Sequence, residues 1–130
     1  YLYALAGRPW RTQELVRELC DTKYINKPDG LCGNDDCGQM SAWYIFSMLG
    51  FYPVDPVSCE YVIGAPQVPE AVINLPGGGQ FKVVAEGLST DNKYVGGVTL
   101  NGEPYDKPYI THDDIVKGGT LTFKMTGSHE

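Results

Sequence analysis

The chain has 130 residues, 42% of them hydrophobic and 20% charged, the balance of a folded globular domain rather than a disordered tail. Its net charge of −6, with only ten Lys and Arg, excludes nucleic acid as a partner, because neutralising phosphates takes clustered basic residues. No run of about 18 apolar residues exists that would span a membrane. In chain order, residues 1–6 read as the tail of a helix stopped by Gly7, a residue suited to a left-handed cap. The sequence is therefore expected to be a fragment of a longer protein, its first helix beginning upstream. Pro9 fits the first turn of a second helix, where its missing N–H costs nothing. Leu15, Val16, Leu19 and Cys20 recur there at helical spacing, opposite Arg17 and Glu18. Asn26, Pro28, Gly30, Gly33 and Gly38 punctuate residues 21–38 as a loop. A third helix follows, QMSAWYIFSML, stopped by Gly50. Met40, Trp43, Tyr44, Ile45, Phe46 and Leu49 cover almost its whole circumference, so it is expected to be buried among neighbouring elements.

The character of the chain changes at about residue 56. EYVIG, AVINL, QFKVVAEG, VGGVTL and GTLTFKM are short runs rich in β-branched and aromatic residues. Asn101-Gly102, between two of them, is a strong hairpin signal. Thr111-His112-Asp113-Asp114 reads as the capped start of a short helical turn. The fold class is α+β, with helices in 1–56 and an antiparallel, β-rich part in 57–130. The aromatics of QFKVVAEG and GTLTFKM alternate with Lys and Thr, so they are expected to point inward. Trp43 and Tyr44 read as core residues of an apolar helix rather than a sugar-stacking platform. Trp10 reads as packing at a helix start, and His112 as part of the capped turn rather than of a metal pair.

Cys20, Cys32, Cys37 and Cys59 contain no C-x-x-C pair, and neither His completes a zinc set, so structural zinc is not expected. Cys32 and Cys37 flank a Gly-Asn-Asp-Asp turn, and their pairing is left open by the sequence.

The loop DGLCGNDDCGQM, residues 29–40, is where chemistry concentrates. Two adjacent acids, Asp35 and Asp36, sit with Asn34 and Gln39 among three glycines, directly before an apolar helix. Either acid can cap that helix. Either can equally stand ionised near its positive dipole end, as a water-activating base must. A calcium loop of the EF-hand kind fails on spacing, because position twelve from Asp29 is Met40 rather than Glu. A phosphate-cradling loop fails because no Lys follows the glycines and the acids repel phosphate.

The run GNDDCGQMSAWYIFSMLGFYPV, residues 33–54, resembles the signature of the family 92 glycoside hydrolases, the exo-acting α-mannosidases. AGRPWRTQELVREL upstream, and EYVIGAPQV, NKYV, VTLNG and PYITHDDI downstream, are similar to other segments of that family, so the resemblance covers nearly the whole chain. It implies calcium-dependent hydrolysis of terminal mannose from mannose-containing glycans, α-1,2-linked for preference, by single displacement with inversion. It implies that residues 1–56 are the last helices of an α/α barrel, with the rest of the parent polypeptide as partner. Carried over by position, the general base is Asp36, with Asp35 the second candidate, while Asn34 and Gln39 are candidate sugar contacts. Gln39 either orients a sugar hydroxyl or braces the loop. Many members have an acid where this chain has Asn34, which concentrates the proton-accepting role on Asp36. The general acid, a Glu, belongs well upstream, so the fragment alone is expected to be inactive, and no calcium ligand is assigned within it. The resemblance also implies a location outside the cytoplasm, in the periplasm or on the cell surface. The competing readings are a carbohydrate-binding module and a purely structural subdomain.

Overall fold

The computed structural model describes residues 1–129. The expected α+β class is the observed one: four helices and eight strands in the described residues, with the three helices of the first half preceding the strands. Helix α1 (Leu2–Leu5) closes at Gly7, whose φ of 77° is the left-handed conformation anticipated for it. Helix α2 (Pro9–Lys23) starts with Pro9 in its first turn. It runs three residues past Cys20, where the loop was expected to begin. Thr22 Oγ1 donates to the Glu18 carbonyl at 2.6 Å, so this residue folds back onto the helix instead of ending it.

The buried face of α2 is rotated from the one its apolar pattern indicates. Thr12, Gln13, Val16 and Cys20 are buried, whereas Leu19 is 40% exposed. The two polar residues go inside because each satisfies a backbone donor: Thr12 Oγ1 accepts from Ala4 N at 2.9 Å, and Gln13 Oε1 from Val95 N at 3.1 Å. Burial pushes the Cys20 thiol up to about 11, which keeps it protonated and unreactive. Cys32, Cys37 and Cys59 are exposed and free.

Helix α3 (Gln39–Leu49) ends at Gly50, left-handed with φ 97°, and feeds directly into strand β1 (Phe51–Tyr52). A side chain at Gly50 would collide with the backbone of Pro66, so only glycine fits this corner. β1 pairs with β2 (Glu60–Ile63), which pairs with β7 (Tyr109–Thr111), giving a three-stranded antiparallel sheet. This sheet joins the two parts of the chain on either side of residue 56.

The second sheet runs β3 (Glu70–Asn74), β4 (Gln80–Glu86), β8 (Gly119–Thr126), β5 (Tyr94–Leu100) and β6 (Glu103–Pro104), side by side in that order. It departs from the expected antiparallel sheet in one pair: β4 and β8 are parallel, with Phe81 opposite Gly119 and Ala85 opposite Phe123. The long excursion through β5, β6, β7 and α4 (His112–Val116) between them supplies the crossover that a parallel pair needs. Asn101 and Gly102 take φ of 53° and 85°, making the tight β5–β6 turn that the sequence signals. Thr111 and Asp114 form a reciprocal capping box at the start of α4: Asp114 N donates to Thr111 Oγ1, and Thr111 N to Asp114 Oδ2.

Alternation along β4 and β8 sends Phe81, Val83, Ala85, Leu121, Phe123 and Met125 to one side, where they meet Phe51, Ile63, Ile110 and Ile115 in the hydrophobic core. Phe81 and Phe123 are completely buried, as their alternation with polar residues indicated, and so present no sugar-stacking face. Truncating such a ring leaves a cavity, and Phe123→Ala is expected to cost about 3–5 kcal/mol in urea denaturation. Val57→Ala, at a site 88% exposed, is expected to stay within about 0.5 kcal/mol.

Candidate functional site

The loop ahead of α3 is held at both ends by backbone hydrogen bonding. On its N-terminal side Tyr24 and Leu31 form an antiparallel bridge, inside which Ile25 N donates to Gly30 O at 3.0 Å and Gly30 N to Lys27 O at 3.0 Å. A Cβ at Gly30 would lie inside van der Waals contact with the Ile25 carbonyl, so this turn closes only on glycine. Tyr24 ties the turn to the helix. Its hydroxyl donates to Met40 O at 3.1 Å, and its ring stacks on Tyr44 (4.6 Å between centroids) and Trp43 (5.8 Å). Those two aromatics are thus engaged in packing. Trp10 likewise stacks on His129, with centroids 4.7 Å apart.

The C-terminal side of the loop is shaped by the helix it enters. A helix leaves its first amides without intrahelical acceptors. Here Gln39 N donates to Asp36 O at 3.2 Å and Met40 N to Asp35 O at 3.1 Å, while Ser41 N donates to Asp35 Oδ1 at 2.8 Å. Ser41 Oγ donates to the same carboxylate oxygen at 2.9 Å. Ala42 N then makes the first intrahelical bond, to Gly38 O at 2.9 Å. Delivering those acceptors requires a tight reversal. Asp36, Cys37 and Gly38 are consecutive left-handed residues, with φ of 53°, 61° and 91°.

The four candidate residues therefore separate by environment. Asp35 is half-buried, with one carboxylate oxygen accepting two hydrogen bonds. Asp36 is exposed at the apex of the reversal and makes no side-chain hydrogen bond among the described residues. Asn34 and Gln39 are exposed. Gln39 contributes its backbone N–H to the loop, and its side chain is turned to the outside. None of the four lines the nearby concavity of about 400 Å³ formed by Tyr24, Asn26, Pro28, Leu31 and Tyr44. Sequence reasoning did not pick out Ser41 or Tyr24. The Asp35–Ser41 separation of six residues matches no capping rule, and nothing in the sequence pairs Tyr24 with Met40.

The calcium implied by the sequence resemblance finds no shell here. Among the described residues no group of three or more His, Cys, Asp or Glu converges to hold a metal ion, and calcium takes six to eight oxygens. Among the described residues no helix is long and apolar enough to cross a membrane.

Fold and loop together define an α+β module that presents one free carboxylate beside a helix start, and comparison with known proteins supplies its family. Residues 1–127 match the Glycosyl hydrolase family 92 catalytic domain. A protein of Arthroderma benhamiae described as an uncharacterized secreted glycosidase is 31% identical over 128 residues, which is 96% of this chain and 16% of that protein. A family GH92 α-mannosidase from Bacteroides thetaiotaomicron, solved in complex with mannoimidazole, superposes with a TM-score of 0.93 at 45% identity, over 98% of this chain and 17% of its own. The family GH92 inverting mannosidase from the same organism gives a TM-score of 0.86 at 41% identity, over 92% of this chain and 16% of its own. The chain belongs to glycosyl hydrolase family 92. It spans about a sixth of the length of these relatives.

Gly30 and Gly38 of the loop are constrained differently, and stability measurements separate them. No atom lies within 4 Å of a Cβ added at Gly38, so Gly38→Ala carries only the left-handed penalty of about 1–2 kcal/mol. Gly30→Ala carries no left-handed penalty but drives its Cβ into the Ile25 and Lys27 carbonyls, and is expected to be the more destabilised of the two in denaturant melts.

Proposed function

We propose that this chain is the part of an inverting α-mannosidase that supplies the general base, and that Asp36 is that base. The observation that carries the reading is the division of labour between neighbouring acids: Asp35 is committed to the helix start, and Asp36 is exposed with its oxygens free. A carboxylate that is to take a proton from water needs an unoccupied, accessible oxygen, and Asp36 offers two on an exposed side chain where half-buried Asp35 keeps only Oδ2 free of donors. The mannosidases among the relatives support the substrate class.

In the proposed reaction the Asp36 carboxylate takes a proton from a water molecule as the water oxygen attacks the anomeric carbon of a terminal mannose. The bond to the leaving oxygen breaks, and a Glu contributed by the rest of the parent polypeptide protonates that oxygen. The released mannose has inverted configuration. The two carboxyls must stand roughly 6.5–9.5 Å apart to leave room for the water, which is why one chain segment can carry the base and a distant one the acid. Asn34 and Gln39, exposed on either side of Asp36, are proposed to hydrogen-bond sugar hydroxyls. Calcium is proposed as a cofactor of the full-length enzyme, with its ligands completed outside this chain. The substrates are α-1,2-linked mannosides of glycans met outside the cytoplasm, in the periplasm or at the cell surface. The secreted relative supports a location outside the cytoplasm. The piece by itself is proposed to be inactive, because it lacks the acid.

Hydrolysis of an α-1,2-mannobiose by the full-length enzyme tests the assignment. Asp36→Asn keeps the side-chain shape but cannot accept the proton, and a fall of about 10²–10⁴-fold in kcat is expected. An Asp36→Asn enzyme of normal rate would remove Asp36 from the chemistry.

A further inference from the structure

We infer that Asp35 and Ser41 form a positioning clamp for the base, with Asp35 taking no part in proton transfer. The inference rests on the general-base reading of Asp36 and concerns what holds that carboxylate in place.

The geometry points this way on three counts. First, Asp35 Oδ1 receives both Ser41 N and Ser41 Oγ, at 2.8 and 2.9 Å. That oxygen, loaded with two donors, is a poor proton acceptor, and its contacts draw the half-buried carboxylate forward toward the helix rather than out of the loop, leaving only Oδ2 without a donor. Second, the neighbouring Asp36 and Cys37 are non-glycine residues in the left-handed region, followed by left-handed Gly38. Such conformations persist only where surrounding contacts over-determine them. The contacts available on the helix side are Gln39 N to Asp36 O, Met40 N to Asp35 O and the two bonds from Ser41. Only the last two use side chains, so they are the part of the fastening that the residue types at 35 and 41 decide. Third, α3 continues through Gly50 into β1, whose Phe51 is 1% exposed in the hydrophobic core. The clamp therefore ties the loop to an element that is itself held by the core.

Removing the Asp35 acceptor frees the loop to relax out of its left-handed reversal and leaves Ser41 N without its partner. Asp36 would then be displaced relative to the substrate, and a displacement on the order of 1 Å costs up to about 10²-fold in rate.

The test is steady-state hydrolysis of α-1,2-mannobiose by the full-length enzyme, with melting temperature measured alongside. Asp35→Ala and Ser41→Ala are each expected to lower kcat by about 10–100-fold with KM changed less than about threefold. The double variant is expected to be little worse than Asp35→Ala alone, because Asp35→Ala already removes both bonds, the one lost in Ser41→Ala included. Asp35→Asn is expected to recover most of the rate lost in Asp35→Ala, since its amide oxygen still accepts from Ser41 N and Oγ. Ser41→Thr is expected to recover activity in the same way. An Asp35→Asn enzyme as impaired as Asp35→Ala, in a protein that melts normally, would overturn the clamp and put the Asp35 charge into the chemistry. Full activity in Asp35→Ala would overturn it equally. Asp36→Asn, assayed in parallel, separates the two ideas. Its full activity sinks the general-base reading itself, whereas its loss together with an equal loss in Asp35→Asn sinks the positioning role alone.

Discussion

Helix α3 begins with three amides that need acceptors, and much of the local structure is arranged to supply them. Gly38 is left-handed and has no side chain to cap with, so the acceptors come from two residues further back, through the carbonyls of Asp35 and Asp36 and the carboxylate of Asp35. Bringing all three to the helix end in so short a span forces the reversal through Asp36, Cys37 and Gly38. The reversal draws one acid inward against Ser41 and leaves the other at its apex. Two residues of identical chemistry, adjacent in sequence, thereby acquire different environments. That difference is the physical ground for assigning them different work.

The rest of the molecule makes the loop a fixed feature. On one side the Tyr24–Leu31 turn closes on Gly30 and is stapled to α3 by the Tyr24 hydroxyl and by aromatic stacking. On the other side α3 runs without a linker into β1, where Phe46 packs against Phe51 and Tyr61 at the edge of the core. Ser47, fully buried, accepts a hydrogen bond from the Tyr1 hydroxyl at 2.9 Å, and burial pushes that phenol well above its usual range. The loop is thus presented by elements held in a packed core, as a catalytic group must be if its geometry is to be reproducible. α3 nevertheless keeps Ile45 61% exposed, and α1 keeps Leu2 70% exposed. The apolar circumference of α3 led to the expectation of a helix buried among its neighbours, and within this chain that expectation is not met: Ser47 is its buried residue and Ile45 is uncovered.

Much of the architecture was legible in the residues because it depends on local rules. Pro9 opening α2, Gly7 and Gly50 closing helices, Asn101-Gly102 making a hairpin and Thr111 capping α4 each follow from the conformational reach of one or two residues. The inward aromatics of β4 and β8 follow from a period of two. The signature run likewise pointed to the family and to the carboxylate pair, because those are properties of residue identity and order.

Contacts between residues distant in the chain lie outside such rules. The parallel pairing of β4 with β8 depends on which edges remain free once the other strands have paired. The rotation of the buried face of α2 depends on backbone donors at Ala4 and Val95 that only the assembled fold brings to Thr12 and Gln13. The same holds at the site: composition let either Asp35 or Asp36 cap the helix or react, and only the family resemblance put Asp36 ahead of Asp35 as the base. Their separation into a capping and an exposed carboxylate was decided by a hydrogen bond across six residues, whose existence depends on three consecutive left-handed dihedrals. Residue order determined what chemistry this loop can offer, and tertiary geometry decided which oxygen atoms remain free to perform it.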